Sequence, residues 1–198
     1  MFITGILLAA GASRRLGRPK QLLPYNGATL LESTLRTAHD CAFDQLLVAL
    51  GGAALDVRAK VDLSDAEVVD NPSFESGCGS SIRTAIDHID ERAEGAILLL
   101  GDQPGVTPST VRGLIAQASE SSIGICRYRD GLGHPFWFNR SMFAELASLH
   151  GDKAVWKLLN SGRFAAAEVT VDAPVPIDVD TWDDYRSLLL AEPAGVAR

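Results

Sequence analysis

Four cations crowd onto a glycine-punctuated stretch: Arg14, Arg15, Arg18 and Lys20 within Leu8-Ala9-Ala10-Gly11-Ala12-Ser13-Arg14-Arg15-Leu16-Gly17-Arg18-Pro19-Lys20. Gly11 and Gly17 permit backbone conformations closed to other residues. Consecutive free amides then make a concave anion site, to which Arg15 and Lys20 add full charges. Such a loop holds phosphates. Spacing excludes two commoner phosphate loops. A P-loop places four residues between its glycines and then Lys-Ser/Thr, whereas five residues separate Gly11 from Gly17 and Arg18 follows. The dinucleotide fingerprint Gly-x-Gly-x-x-Gly fails as well, because the stretch has only these two glycines.

An acid answers the cations. Asp102 follows the most apolar run of the chain, in Leu98-Leu99-Leu100-Gly101-Asp102-Gln103-Pro104. A carboxylate at the end of a buried strand is costly unless something positive sits on it, and Mg2+ carried by a nucleotide would serve. Mg2+ takes one or two protein carboxylates plus phosphate oxygens and water, so a second acid is expected elsewhere. Pro176-Ile177-Asp178-Val179-Asp180-Thr181 offers Asp180, with Asp178 the weaker candidate. Asp180 reads equally well as the cap of a final helix.

These groups need a scaffold that brings strand ends together. Phe2 to Leu8 is too short for a helix core and too continuously apolar for a half-exposed strand, which predicts the central strand of a parallel sheet with the loop at its carboxyl end. Leu30 to Ala38 has helical spacing, with Thr29 and Glu32 forming a capping box. Strands at Gln45 to Leu50, Ala66 to Val69, Gly95 to Leu100 and Ser122 to Cys126 alternate with helices around Leu55 to Val61, after Ser80-Ser81, and from Pro108. This is βαβ grammar, a three-layer doubly wound α/β fold. Serine is expected to cap the third helix. From Arg127 the pattern changes: a short Pro135 to Phe138 strand and helices near Ser141 to Ser148 and Asp152 to Asn160, the latter capped by Asp152, read as an inserted acceptor-side β region. Ala167 to Val171 is a further strand and Thr181 to Leu190 the last helix. One domain over residues 1–191 is expected, with residues 192–198 fraying.

With 198 residues, 46% of them hydrophobic and 22% charged, the chain is long enough to bury one core. A net charge of -7 argues against nonspecific nucleic-acid binding and makes the basic loop a local feature. Three cysteines without CxxC spacing suggest no disulfide framework and a reducing cytoplasm. The apolar start has neither a basic region before it nor an A-x-A-like site after it, so no signal peptide is expected. No run reaches membrane-spanning length.

The segment L-A-A-G-x-S-x-R-(M/L)-G-x-x-K-x-L-L-P resembles the signature of the MobA-like nucleotidyltransferases, above all the branch of the molybdenum cofactor cytidylyltransferases. The likeness recurs in Gly77-Cys78-Gly79-Ser80-Ser81, Gly101-Asp102-Gln103-Pro104, Gly133-His134-Pro135 and the acidic segment ending in Asp180. It implies a nucleotide-diphospho-sugar transferase type of Rossmann-like sheet. It places Leu8, Ala9, Ala10 and Asp70 at base and ribose, and Gly11, Ser13, Arg15 and Lys20 at the triphosphate. Gly79, Ser80 and Ser81 fall at a nucleotide-facing turn, and Asp102 and Asp180 at the metal. Asp70 alternatively opens an Asx turn before Pro72. His134 would touch the acceptor. Cys78 reads as a filler without an adjacent base.

The chemistry implied is Mg2+-dependent transfer of a nucleoside monophosphate to a phosphorylated acceptor, with Arg15, Lys20 and Asp102 carrying it and pyrophosphate leaving. No general base is needed, since a phosphate monoester is already largely ionised at neutral pH. Within the resembling family L-A-A-G goes with CTP and L-A-G-G with GTP, so Ala10 favours CTP over GTP. Molybdopterin is the acceptor implied, with a transient contact to a molybdoenzyme or its chaperone. Three other readings share the loop: a nucleotidyltransferase for a sugar phosphate or methylerythritol phosphate, a nucleotide-sugar glycosyltransferase, and a nonenzymatic cofactor-binding chaperone.

Overall fold

The computed structural model describes residues 1–191; the expected frayed tail, residues 192–198, lies outside the described residues. In chain order the elements are β1 (Ile3–Ala9), β2 (Pro24–Tyr25), β3 (Ala28–Thr29), α1 (Leu30–Asp40), β4 (Gln45–Leu50), α2 (Ala54–Arg58), β5 (Glu67–Asp70) and α3 (Cys78–Ile86). There follow β6 (Gly95–Leu100), α4 (Pro108–Ala118), β7 (Ile123–Arg127), β8 (Leu132–Asn139), α5 (Phe143–Ala147), α6 (Ala154–Asn160), β9 (Ala166–Thr170) and α7 (Trp182–Ala191). Seven strands form one sheet in the order β5-β4-β1-β6-β8-β7-β9. Only β8 runs against its neighbours β6 and β7.

Burial on both faces explains the continuous apolar strands. Leu7, Val48, Leu50, Ile97 and Leu99 pack with α1 and α4 on one face. Ile6, Leu47, Val69 and Leu98 pack with α3 and α6 on the other. The three-layer, mostly parallel fold expected from the sequence is therefore present. In register, Ala9 pairs with Leu50, Leu50 with Asp70, and Leu8 with Leu100. The chain leaves β1, β4, β5 and β6 along one rim, and the order reverses between β1 and β6, the place where open α/β sheets bind ligands.

Several local expectations need correction. The Pro135 to Phe138 segment is no insertion: it is the middle of β8, deep in the main sheet, where Phe136, Trp137 and Phe138 are all fully buried. Its three large rings demanded burial on both faces, which only a central strand provides. Serine does not cap α3; Gly77 precedes it, with no side-chain cap, and Ser80 and Ser81 lie within its first turn. Asp152 does not cap α6 either, because Lys153, at φ 54°, occupies that position. Asn26-Gly27, both at positive φ, turn the small β2-β3 hairpin.

The Thr29 box formed as expected: Thr29 Oγ1 accepts from the Glu32 amide at 3.2 Å and the Glu32 carboxylate accepts from the Thr29 amide at 2.7 Å. Thr29→Ala is expected to lower unfolding free energy by about 1 kcal/mol, read as a shift in urea midpoint at constant slope. No helix among the described residues is long and apolar enough to cross a membrane.

Candidate active site

Ser13 organises the loop after β1. At φ 52° its carbonyl accepts the Leu16 and Gly17 amides, each at 3.1 Å, and its Oγ accepts the Lys20 amide at 2.9 Å. Leu16 then anchors the loop in a small cluster with Leu23, Tyr25, Leu30, Val179 and Leu188. The loop is thus fastened to the start of α1 and to the last helix, which leaves Arg14, Arg15 and Arg18 exposed while Lys20 turns inward.

Each cation already has a partner. Lys20 Nζ lies against the Asp102 carboxylate and reaches Asp180 Oδ1 at 2.8 Å. Arg15 meets Asp180 Oδ2 at 3.0 Å, Arg14 meets Glu75 at 2.8 Å, and Arg18 lies over the Trp182 ring at 5.6 Å. Lys20 and Asp102 are mostly buried. Burial works against the Lys20 charge, but Asp102 and Asp180 outweigh it and hold its pKa above the ordinary lysine value. Asp180 is likewise opposed by burial, yet Lys20 and Arg15 draw its carboxyl below the usual range. The cap reading of Asp180 falls: Thr181 caps α7, its Oγ1 accepting the Asp184 amide at 3.2 Å while Asp184 accepts the Thr181 amide at 2.7 Å. Asp180 is left free to face the cations.

Asp178 is the strained member of this acid group. Partial burial, then the Asp102 charge, push its carboxyl up to about 6 against the opposing pull of Lys20. The folded state therefore binds this proton more tightly than the unfolded chain does. Stability tied to Asp178 is present below its ordinary value of 3.8 and is lost as pH rises through about 6. Asp178→Asn is expected to raise the melting temperature at pH 7 and leave it unchanged at pH 3.5, measured with EDTA throughout.

Among the described residues no three His, Cys, Asp or Glu side chains are gathered as a ready metal cage. The donor chemistry still suits a hard divalent cation. Asp102 and Asp180 converge on a single ammonium, and a cation in that place would draw its other ligands from phosphate oxygens and water. Gly11 allows the approach, since a Cβ there would already touch Lys20 Cε at 3.4 Å.

Other expected contacts are turned elsewhere. The Ser80 and Ser81 hydroxyls accept from Asn71 Nδ2 at 2.8 and 2.9 Å, and the Gly79 amide donates to Gly151 at 3.0 Å, so these three hold the protein together where nucleotide contact was expected. Asp70 carries Arg58 at 2.8 Å. The Asx turn belongs to its neighbour, Asn71 Oδ1 accepting the Ser73 amide at 2.9 Å. His134 stands edge-on to Phe136 with ring centroids 4.3 Å apart, and burial pushes its imidazolium pKa down to about 3, which leaves a neutral ring. Asn71 and Gln103 escaped notice in the sequence. Gln103 Nε2 donates to Pro176 at 2.8 Å and so fixes the acidic segment beside Asp102. Both are buried polar residues close behind a strand, Asn71 directly after β5 and Gln103 three positions after β6.

Comparison with known proteins decides the family. Residues 5–168 match the MobA-like NTP transferase domain. The chain belongs to that family. It is a nucleotidyltransferase. It is 32% identical to the nicotine blue oxidoreductase of Paenarthrobacter nicotinovorans, over 94% of this chain and 96% of that one. It is 25% identical to the molybdenum cofactor cytidylyltransferase of Escherichia coli, over 91% and 92%. The crystal structure of Rv0371c from Mycobacterium tuberculosis superposes with a TM-score of 0.93 at 54% identity, covering 96% of this chain and 98% of that one. A structure of Rv0371c in complex with manganese gives 0.89 at 50%, covering 97% and 100%. The MobA-like nucleotidyltransferase expected from the loop signature is thereby borne out.

Proposed function

We propose that this nucleotidyltransferase moves CMP from CTP to a phosphorylated acceptor of the molybdopterin type in the cytoplasm, with Mg2+ and release of pyrophosphate. The observation that carries the reading is the Lys20 ammonium clasped by Asp102 and Asp180 at the foot of the basic loop. With a triphosphate bound, Lys20 and Arg15 would turn from the acids to its oxygens, leaving Asp102 and Asp180 as the residues that would hold Mg2+. A bound Mg2+ would neutralise charge on the phosphates. The backbone from Leu8 to Gly11 would receive the base and ribose, with Asp70, now paired with Arg58, on the same rim.

An oxygen of the acceptor phosphate forms the new bond to the α-phosphorus as the bond to the bridging oxygen breaks. That oxygen keeps the electron pair and departs as pyrophosphate. The residues of this chain align the anions and hold positive charge against the leaving group, the electrostatic work that dominates such transfers. The neutral ring of His134 suits hydrogen bonding to an acceptor rather than charge neutralisation. The oxidoreductase named among the relatives offers a second activity to assay. The four cations and the lack of Gly-x-Gly-x-x-Gly in the loop favour a triphosphate over a dinucleotide.

A matrix of nucleoside triphosphates against phosphorylated acceptors, scored by pyrophosphate, tests the reading. CTP with molybdopterin is expected to give the fastest release, and Asp102→Ala to abolish it in a folded protein. Full activity of that variant would remove the metal assignment; reduction of nicotine blue without any pyrophosphate would favour the second activity.

A further inference from the structure

Gln21 follows Lys20 in a 3-10 turn and is 1% exposed. Its Nε2 donates to the Ala9 carbonyl at 2.6 Å and to the Gly11 carbonyl at 3.1 Å, so one amide grips the backbone on both sides of Ala10. Both donor hydrogens of that amide are spent on this grip. The Ala10 carbonyl lies on the side of Gly51, where a Cβ would stand 2.6 Å from it. Three successive carbonyls are thereby given fixed directions at the rim between β1 and β4.

Stability alone does not account for this residue. Gln21 Oε1 is buried with no hydrogen-bond partner among the described residues, a cost that an apolar side chain of similar length would avoid. What the amide provides in return is the orientation of two peptide groups. A peptide turned over would exchange a donor for an acceptor, and nucleobases are distinguished by that pattern.

We propose that Gln21 is a positioning residue that sets base discrimination by fixing the Ala9–Gly11 peptides. This rests on the reading of the loop as a nucleotide site. Gln21→Met keeps the length and loses the donors, whereas Gln21→Asn keeps the amide but is too short to span both carbonyls. Thr4→Val is the control, since it removes a buried hydroxyl whose bond goes to Gln45 at the end of β1 far from the loop.

The test is isothermal titration of CTP and GTP with Mg2+, without acceptor, alongside melting temperatures. Both Gln21 variants are expected to lose about tenfold or more of the wild-type CTP to GTP affinity ratio. Thr4→Val should lose thermal stability and keep the ratio. An unchanged ratio in folded Gln21→Met or Gln21→Asn overturns the proposal, as does equal loss in Thr4→Val or a wild type without preference. A wild type that prefers GTP refutes the CTP reading while leaving Gln21 to be judged by its variants. One that binds neither nucleotide overturns both.

Discussion

Lys20→Met is expected to lower kcat/KM for pyrophosphate release by about 10^3-fold, the scale of losing one fixed positive group at a transferring phosphoryl. The same variant should also unfold more easily. Lys20 and Asp102 are each only 13% exposed, and Asp180 shares the ammonium. Removing it leaves those two carboxylates and Asp178 facing one another. Breaking a buried pair from one side costs about 3 kcal/mol or more, reduced here because Asp180 is open to solvent. A drop of several degrees in melting temperature is the expected readout. Asp102→Asn should cost far less stability, because Lys20 keeps Asp180. Equal stability losses in the two variants would refute the view that one ammonium serves several acids.

Gly77→Ala should be the most damaging change outside the loop. Gly77 has φ 100° and ψ 172°, a region essentially reserved for glycine. A Cβ there would stand 2.5 Å from the Gly151 carbonyl carbon and 2.7 Å from the Asp152 amide nitrogen, backbone atoms that cannot swing aside. Strain and overpacking together are expected to cost about 3 kcal/mol or more. Chemical denaturation measures the loss, and a change within about 0.5 kcal/mol, the size of an ordinary surface substitution, would contradict the described turn. The turn also holds Ser80, whose Oγ donates to the Gly77 carbonyl at 2.8 Å and accepts from Asn71, so the bonds that tie α3 to the end of β5 should loosen with it.

The parts of the fold legible in the sequence were those with local physical signatures. The apolar strands, the Thr29 box and Pro108 at the start of α4 each carry their signal within a few residues. The basic loop and Asp102 were legible because both sit directly after buried strands. The place of β8 was not, because β8 was expected outside the main sheet and the order of strands is decided by packing across the sheet. Arg15 and Asp180 are 165 residues apart, and only the folded chain reveals that Asp180 serves two cations. Gln21 and Asn71 were hidden because their hydrogen bonds run to backbone and hydroxyl groups brought close by the rim, which local composition does not encode.

The fastening of the basic loop to the final helix has a consequence for how this protein is made. Lys20 meets Asp180 across 160 residues, and Leu16 is buried by Val179 and Leu188. Synthesis runs from the amino terminus at about 5–20 residues per second, so the loop emerges roughly ten seconds or more before Asp180. During that interval Arg15, Arg18 and Lys20 lack the contacts made by Asp180 and Trp182. A nascent chain would therefore meet cellular polyanions with a bare basic loop, and the site would become selective only as α7 leaves the ribosome.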